Sequence, residues 1–249
     1  MKAASRIRLG VIAALVALLE LMVRGGAISR RVLLAPSEMA ADLVRLLAEG
    51  HYHGDIATTL ADVLTAFAIA LTAGFATGVA IHALPRLRRA LEPLLATYYA
   101  VPFFAFYPVF IVILGVGRAP IVIVGVLFGV VAMIVATLNG LDRIPRVLRK
   151  TAKLMRMGRI ATALRIELPA ALPYLFTGIK LAIAYAFIGV IASEFILAAE
   201  GIGYRIAYAF NNFDNRTMYA LMLFIVGLVT AVNAAFHVAE TRLQRRLGR

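Results

Sequence analysis

Cysteine is absent from this chain of 249 residues, which excludes disulfides and thiolate metal sites. Charge is scarce as well: 16% of residues are charged, against about a quarter in a soluble domain. Acidic residues are the rarer kind, 13 against 26 Lys and Arg, for a net charge of +13. No Gly-x-x-x-x-Gly-Lys-Ser/Thr phosphate loop occurs, so ATP hydrolysis by that route is excluded. A membrane-embedded enzyme would need a catalytic cluster within the bilayer, such as paired Asp or a His–Glu metal motif. His82 and His237 are isolated. His51 and His53, one residue apart in a loop, read more simply as exposed side chains than as a metal pair. The aromatic–basic clusters of RNA-binding sheets are missing, so the basic excess does not point to nucleic acid. No internal repeat marks the halves 1–120 and 121–249 as a secondary transporter would often show.

What remains is apolar. Hydrophobic residues make up 62% of the chain, well above the 45–50% typical of soluble domains. The expectation is an all-α integral membrane protein, a single transmembrane domain over 1–249. Six apolar runs are expected to span: about 9–23, 56–84, 94–114, 119–138, 174–198 and 217–238. The first is short for a crossing, which takes about 20 residues. It resembles a signal peptide, but no small-residue cleavage site follows it, so it reads as a retained span. Between the first two runs, Ser37 is a plausible helix N-cap and Gly50 a stop, with Met39, Leu43, Leu46 and Leu47 on one face. That helix is expected along the outer membrane surface.

Gly74 and Gly78, spaced Gly-x-x-x-Gly in the second run, predict close helix packing. The segment 85–93 reads as a basic loop. Pro102 and Pro108 break the third run, which carries Tyr98 and Tyr99 and is expected inside the bundle or along a pathway. Basic residues set the orientation. The N-terminal tail, 85–93, 141–173 and the C-terminal tail hold 18 Lys and Arg, and the intervening segments hold 7. The asymmetry places both termini and 141–173 in the cytoplasm, and anionic lipid is the natural partner for these charges. Polar groups within spans are costly and therefore candidates for function. Tyr98, Tyr99, Asn139, Glu194 and Asn233 form the candidate pathway set. For Asn139 and Glu194, near span ends, packing is an equal reading. Glu194 is free to pair with Arg205 or Lys180, and Lys180 to snorkel.

The segment 141–173 is the longest polar interval of the second half, with eight basic residues opposed only by Asp142 and Glu167. Apolar positions recur at helical spacing, at Ile144, Val147, Leu148, Leu154, Ile160, Leu164 and Leu168. Pro145 is placed to start a helix, Gly158 to break it, and Pro169 and Pro173 to close the segment. This pattern, running into LPAALP and the next span, resembles the coupling loop of binding-protein-dependent ABC transporter permeases. There the pattern is Glu-Ala-Ala, then a Gly, then an apolar-Pro. Aligned on Pro169, Lys150 stands at the Glu, Thr151 and Ala152 at the two Ala, and Arg156 at the Gly. The tail matches and the head departs. With LAPSEMAADLVRLLAEG, ELPAALPYLFTGIKLAIAYAFIGVIASEF and GIGYRI, the chain resembles the permeases serving nitrate, taurine, sulfonates and related small anions.

The resemblance implies the type I importer fold and a non-catalytic subunit of a bacterial inner-membrane complex. It implies two ABC ATPase subunits, a periplasmic or lipid-anchored substrate-binding protein, and a second permease copy, by default identical. No cofactor is expected in this chain; ATP and Mg belong to the ATPases. It further implies that Lys150, Thr151, Ala152, Leu154, Arg156, Gly158 and Pro169 belong to an ATPase-coupling element, with the solute passing between permeases. Because Arg takes left-handed angles reluctantly, the turn is expected to shift to Met157-Gly158, between helices over about 145–156 and 159–167. A stand-alone secondary transporter or channel is the alternative.

Overall fold

A computed structural model describes residues 2–30 and 32–246. Of the basic residues counted for orientation, Arg31 and Arg249 lie outside the described residues. No strand occurs among the described residues.

α1 (Lys2–Arg24) is followed by α2 (Pro36–Glu49). Ser37 does not cap α2. Ala35 is the N-cap residue and Pro36 opens the helix, where its fixed φ suits the first turn and its missing N–H costs nothing. Ser37 instead donates its N–H and hydroxyl to the Glu20 carboxylate at 3.0 and 2.6 Å. That contact ties α1 to α2. Gly50 ends α2 at φ 75°, as expected.

Three long helices form the core: α3 (His53–Ala83), α6 (Arg118–Asp142) and α9 (Leu168–Leu197). Val63 and Ala66 meet Ile121 and Val124, and Ala186, Phe187 and Val190 close the cluster from α9. A Cβ at Gly74 would lie 2.7 Å from the Met133 side chain and the Val130 carbonyl, and one at Gly78 would lie 2.7 Å from Thr137. The absent side chains let α3 and α6 touch backbone to side chain, the packing that holds helices together where lipid is as apolar as leucine.

The third apolar run is not one helix. α4 (Pro85–Thr97) takes in the expected basic loop, and α5 (Tyr107–Leu114) follows two 3-10 turns, with an 86° bend between the two halves. Pro102 supplies the reason. It has no N–H to continue the helix, and it holds Val101 extended at φ −83°, ψ 120°. Four single helices of the described residues are long and apolar enough to cross a membrane, or five spans if the bent pair counts as one. α1 is not among them: Glu20 divides the run between its flanking arginines. α10 (Ile202–Asn211) and α11 (Asn215–Arg246) complete the chain, joined through Ile202, Ile206, Ala209, Met218 and Leu221.

Candidate functional site

The 141–173 segment forms a short lever built onto the end of α6. α7 (Arg146–Leu154) is amphipathic and begins after Pro145. Its buried contact is Ala152, while Val147 is 69% and Leu154 84% exposed. Met155 and Ile160 are also bare. The expected apolar face exists, and among the described residues nothing covers it.

The turn that ends α7 is not where its glycine is. Arg156 stands at φ 49°, in the left-handed region. Its N–H donates to the Lys153 carbonyl and that of Met157 to the Ala152 carbonyl, both at 3.0 Å. This pair of bonds is a Schellman motif with Arg in the position usually held by Gly. Gly158 has an ordinary φ of −65° and serves as the N-cap residue of α8 (Arg159–Thr162). The expected shift to Met157-Gly158 is therefore wrong. Two carbonyls left over at the helix end are satisfied by the left-handed turn, and that return outweighs its cost at Arg156, about 1–2 kcal/mol.

Nor do the prolines close the segment. α8 runs through a π turn at Ala163–Glu167 directly into α9. Pro169 withholds the N–H that would bond the Arg165 carbonyl, and the helix widens just before it. The lever and the span are thus one continuous body. Arg149 braces it, donating to the Leu141 carbonyl at 3.0 Å and lying 3.2 Å from the Glu167 carboxylate. Lys150 and Thr151 face outward. Nearby, Arg88 donates both its terminal nitrogens to Asp142 at 2.7 and 2.5 Å, which fastens α4 to the foot of α6.

The pathway candidates divide. Tyr99 and Asn139 come together on the walls of two adjoining cavities of about 320 and 200 Å³, the second also lined by Tyr174, Thr177 and Tyr185. The Tyr99 and Tyr185 rings lie 4.8 Å apart. Tyr98 stands behind them, its hydroxyl donated to the Leu127 carbonyl at 2.9 Å. Asn233 donates to Val229 of its own helix.

Glu194 is elsewhere and wholly buried, at 1% exposure. One carboxylate oxygen accepts from the Thr59 hydroxyl at 2.9 Å and from Gly203 N–H at 2.8 Å. The Thr59 oxygen accepts from Ile202 N–H at 2.8 Å, and Asp55 accepts from Gly201 N–H at 3.0 Å. Three carboxyl and hydroxyl groups thus receive the first backbone N–H groups of α10, an anion at a helix start. Glu194 pairs with neither expected cation. Arg205 binds Asp55 at 2.8 Å, and Lys180 binds Glu240 on α11 at 2.6 Å instead of snorkelling. Asp62, also 1% exposed, takes Arg118 at 2.6 Å. An Asp inside an apolar run signals a buried partner, but nothing in sequence says which Arg.

Known proteins show the family and the fold. The family model described as the binding-protein-dependent transport system inner membrane component matches residues 63–249. A probable ABC transporter permease protein of Brucella melitensis biotype 1 is 27% identical over 212 residues, 85% of this chain and 86% of that protein. The nitrate import permease protein NrtB of Leptolyngbya laminosa is 29% identical over 174 residues, 70% of this chain and 62% of its own length. The bicarbonate transport system permease protein CmpB of Synechococcus elongatus is 28% identical over 174 residues, covering 69% and 63%. Among solved structures, the MetNI methionine ABC transporter in inward-facing form aligns with a TM-score of 0.64 at 19% identity, over 80% of this chain and 96% of that one. The chain belongs to the inner membrane components of binding-protein-dependent transport systems, and is a permease subunit of an ABC transporter of the importer type.

Proposed function

We propose that this permease passes a small anionic solute, handed over by an extracytoplasmic binding protein, and that α7 and α8 couple it to two cytoplasmic ABC ATPases. ATP and Mg belong to those partners, and this chain holds neither. A second copy of the permease completes the pathway in the bacterial inner membrane, with both termini in the cytoplasm.

One observation carries the coupling reading: an exposed apolar face on a helix fixed by a Schellman turn to a span-forming helix. Such a lever transmits displacement, because its motion and that of α9 are inseparable. Val147, Leu154 and Ile160 are the side chains offered to the ATPase groove. Lys150, in the place of the family's Glu, meets an acidic groove. The names of the nitrate and bicarbonate permeases favour a small anion. So does the wall at Tyr99, Asn139, Tyr174, Thr177 and Tyr185, which offers neutral hydrogen-bonding groups.

The test is disulfide capture in the assembled complex. Leu154→Cys and Ile160→Cys are expected to cross-link to single cysteines in the ATPase groove, and Leu154→Asp to abolish ATP hydrolysis stimulated by the loaded binding protein while the complex assembles. Undiminished stimulation in Leu154→Asp would sink the coupling role.

A further inference from the structure

A cavity of about 700 Å³ is separate from the proposed pathway. It lies between the basic-end halves of α3 and α6 and the π turn that enters α9. Thr137 and Leu141 of α6 border it, whereas Val135 and Asn139 border the pathway cavities. Its walls are apolar, chiefly Phe75, Val79, Leu164, Leu168 and Leu175. Three ionisable side chains stand at it: His82, Arg149 and Glu167.

Their pairing is incomplete. Arg149 Nε lies 3.2 Å from Glu167 and His82 Nδ1 lies 3.2 Å from Asp142, yet neither nitrogen is in hydrogen-bond geometry with its carboxylate or any other described group. A buried guanidinium donor left in that state, as Arg149 Nε is, is uncommon in native proteins and calls for a partner. The wall on one side is a π turn, a feature frequent at functional sites.

We infer that this cavity seats one acyl chain of an anionic phospholipid, with the headgroup phosphate received by Arg149. Its walls include α3 and α9, both long and apolar enough to cross a membrane, so a lipid enters laterally without crossing water. The neighbouring segments 85–93 and 141–173 carry 11 of the chain's 26 basic residues, which raises the local concentration of anionic headgroups. That this is the cytoplasmic leaflet rests on the orientation proposed above; the seat itself does not.

The complex with its ATPase, in nanodiscs, tests this without transport or nucleotide. Photoactivatable phosphatidylglycerol is expected to label residues 75–83 and 163–175, about fivefold more than the phosphatidylcholine analogue, the discrimination of roughly one cation. Arg149→Gln should remove that preference, and Val79→Trp, which fills the cavity from α3, should remove labelling by both lipids. Equal labelling by the two lipids would overturn the anionic assignment. A photoactivatable fatty acid labelling these segments more strongly than phosphatidylglycerol would assign the seat to a free amphiphile. Absence of label there, with cross-links to the ATPase instead, would assign it to protein.

Discussion

Met157 donates its backbone N–H to the carbonyl of Ala152 across five residues, at 3.0 Å, and the residue that makes this possible is Arg156 at φ 49°. The small Ala152 is buried at 2% exposure, so its methyl group is the part of α7 packed against the rest of the segment. A larger residue there would lift α7 off its seat. The residue at this turn is Arg156, and the helix end is still completed by a left-handed turn.

Arg156→Gly is therefore expected to leave coupling intact and to stabilise the turn by about 1 kcal/mol, because Gly adopts the left-handed region freely. Gly158→Val should be tolerated. Its φ is −65° and an added Cβ meets open space. Binding-protein-stimulated ATP hydrolysis of the two variants checks both, and a loss in Gly158→Val alone would return the turn to the glycine.

At the opposite end, Gly201 has φ 100° and an added Cβ would lie 2.5 Å from the Glu194 carboxylate. Gly201→Ala is expected to detach the start of α10. Glu194→Ala removes the acceptor for the Thr59 hydroxyl and Gly203 N–H and should destabilise by about 1–3 kcal/mol for each buried donor left without a partner. Thermal melting of the purified complex reads both. Unchanged midpoints would show that α10 is held by its apolar contacts with α11 alone.

Much of this was legible in the sequence. Four of the six hydrophobic runs marked the long helices α3, α6, α9 and α11, and Gly74 and Gly78 marked a close helix contact without naming α6 as the partner, because a missing Cβ has one steric consequence in a bundle. The helix stop at Gly50 followed from the same logic. Arg156 was not legible: local preference opposes left-handed Arg, and only the completed helix end, with its carbonyls to satisfy, reverses the balance. Pro169 and Pro173 read as stops because a proline in isolation ends a helix, whereas here a π turn absorbs it. The polar pathway set was half legible. Burial cost marks a residue as needing a partner but does not name the partner, so Glu194 and Asn139 looked alike and stand at different sites.

Asp62 and Arg118 should show the asymmetry of a buried ion paired with a half-exposed one. Side-chain exposure is 1% for Asp62 and 50% for Arg118. Arg118→Ala leaves a buried carboxylate without its cation and is expected to cost roughly 2 kcal/mol, below the 3–5 of a fully buried pair because Arg118 is half solvated. The double variant with Asp62→Asn should recover most of that loss. A double-mutant cycle on thermal stability measures the coupling, and additive losses would show the pair to be energetically idle.

Orientation follows from the basic end. Single cysteines at Val44 and Asn211, both exposed, are expected to react with an impermeant maleimide added to intact cells. A cysteine at Arg156 should react only after the membrane is opened. The reverse pattern would invert the topology and place the lever away from any ATPase.

The charge of the solute is the finer question, and Asn139 gives a way to ask it. Its side chain is exposed and contributes to both cavities beside Tyr99. It sits between α6 neighbours that pack tightly, with Leu138 and Gly140 buried, so an isosteric change at the exposed position leaves the core alone. Asn139→Asp adds a negative charge to the neutral wall of the smaller cavity. Two like charges about 4 Å apart repel by roughly 4 kcal/mol at an effective dielectric near 20. Even at a third of that, transport of an anion falls about tenfold. A neutral solute would lose little, and a cation would gain. Uptake of labelled nitrate and bicarbonate into proteoliposomes containing the complex, its binding protein and ATP, compared for Asn139→Asp and Asn139→Gln, separates these outcomes. A selective loss in the Asp variant, with basal ATP hydrolysis unchanged in both, is the expected result. Equal uptake by the two variants would remove Asn139 from the pathway, and unchanged ranking of anions would leave solute choice with the binding protein.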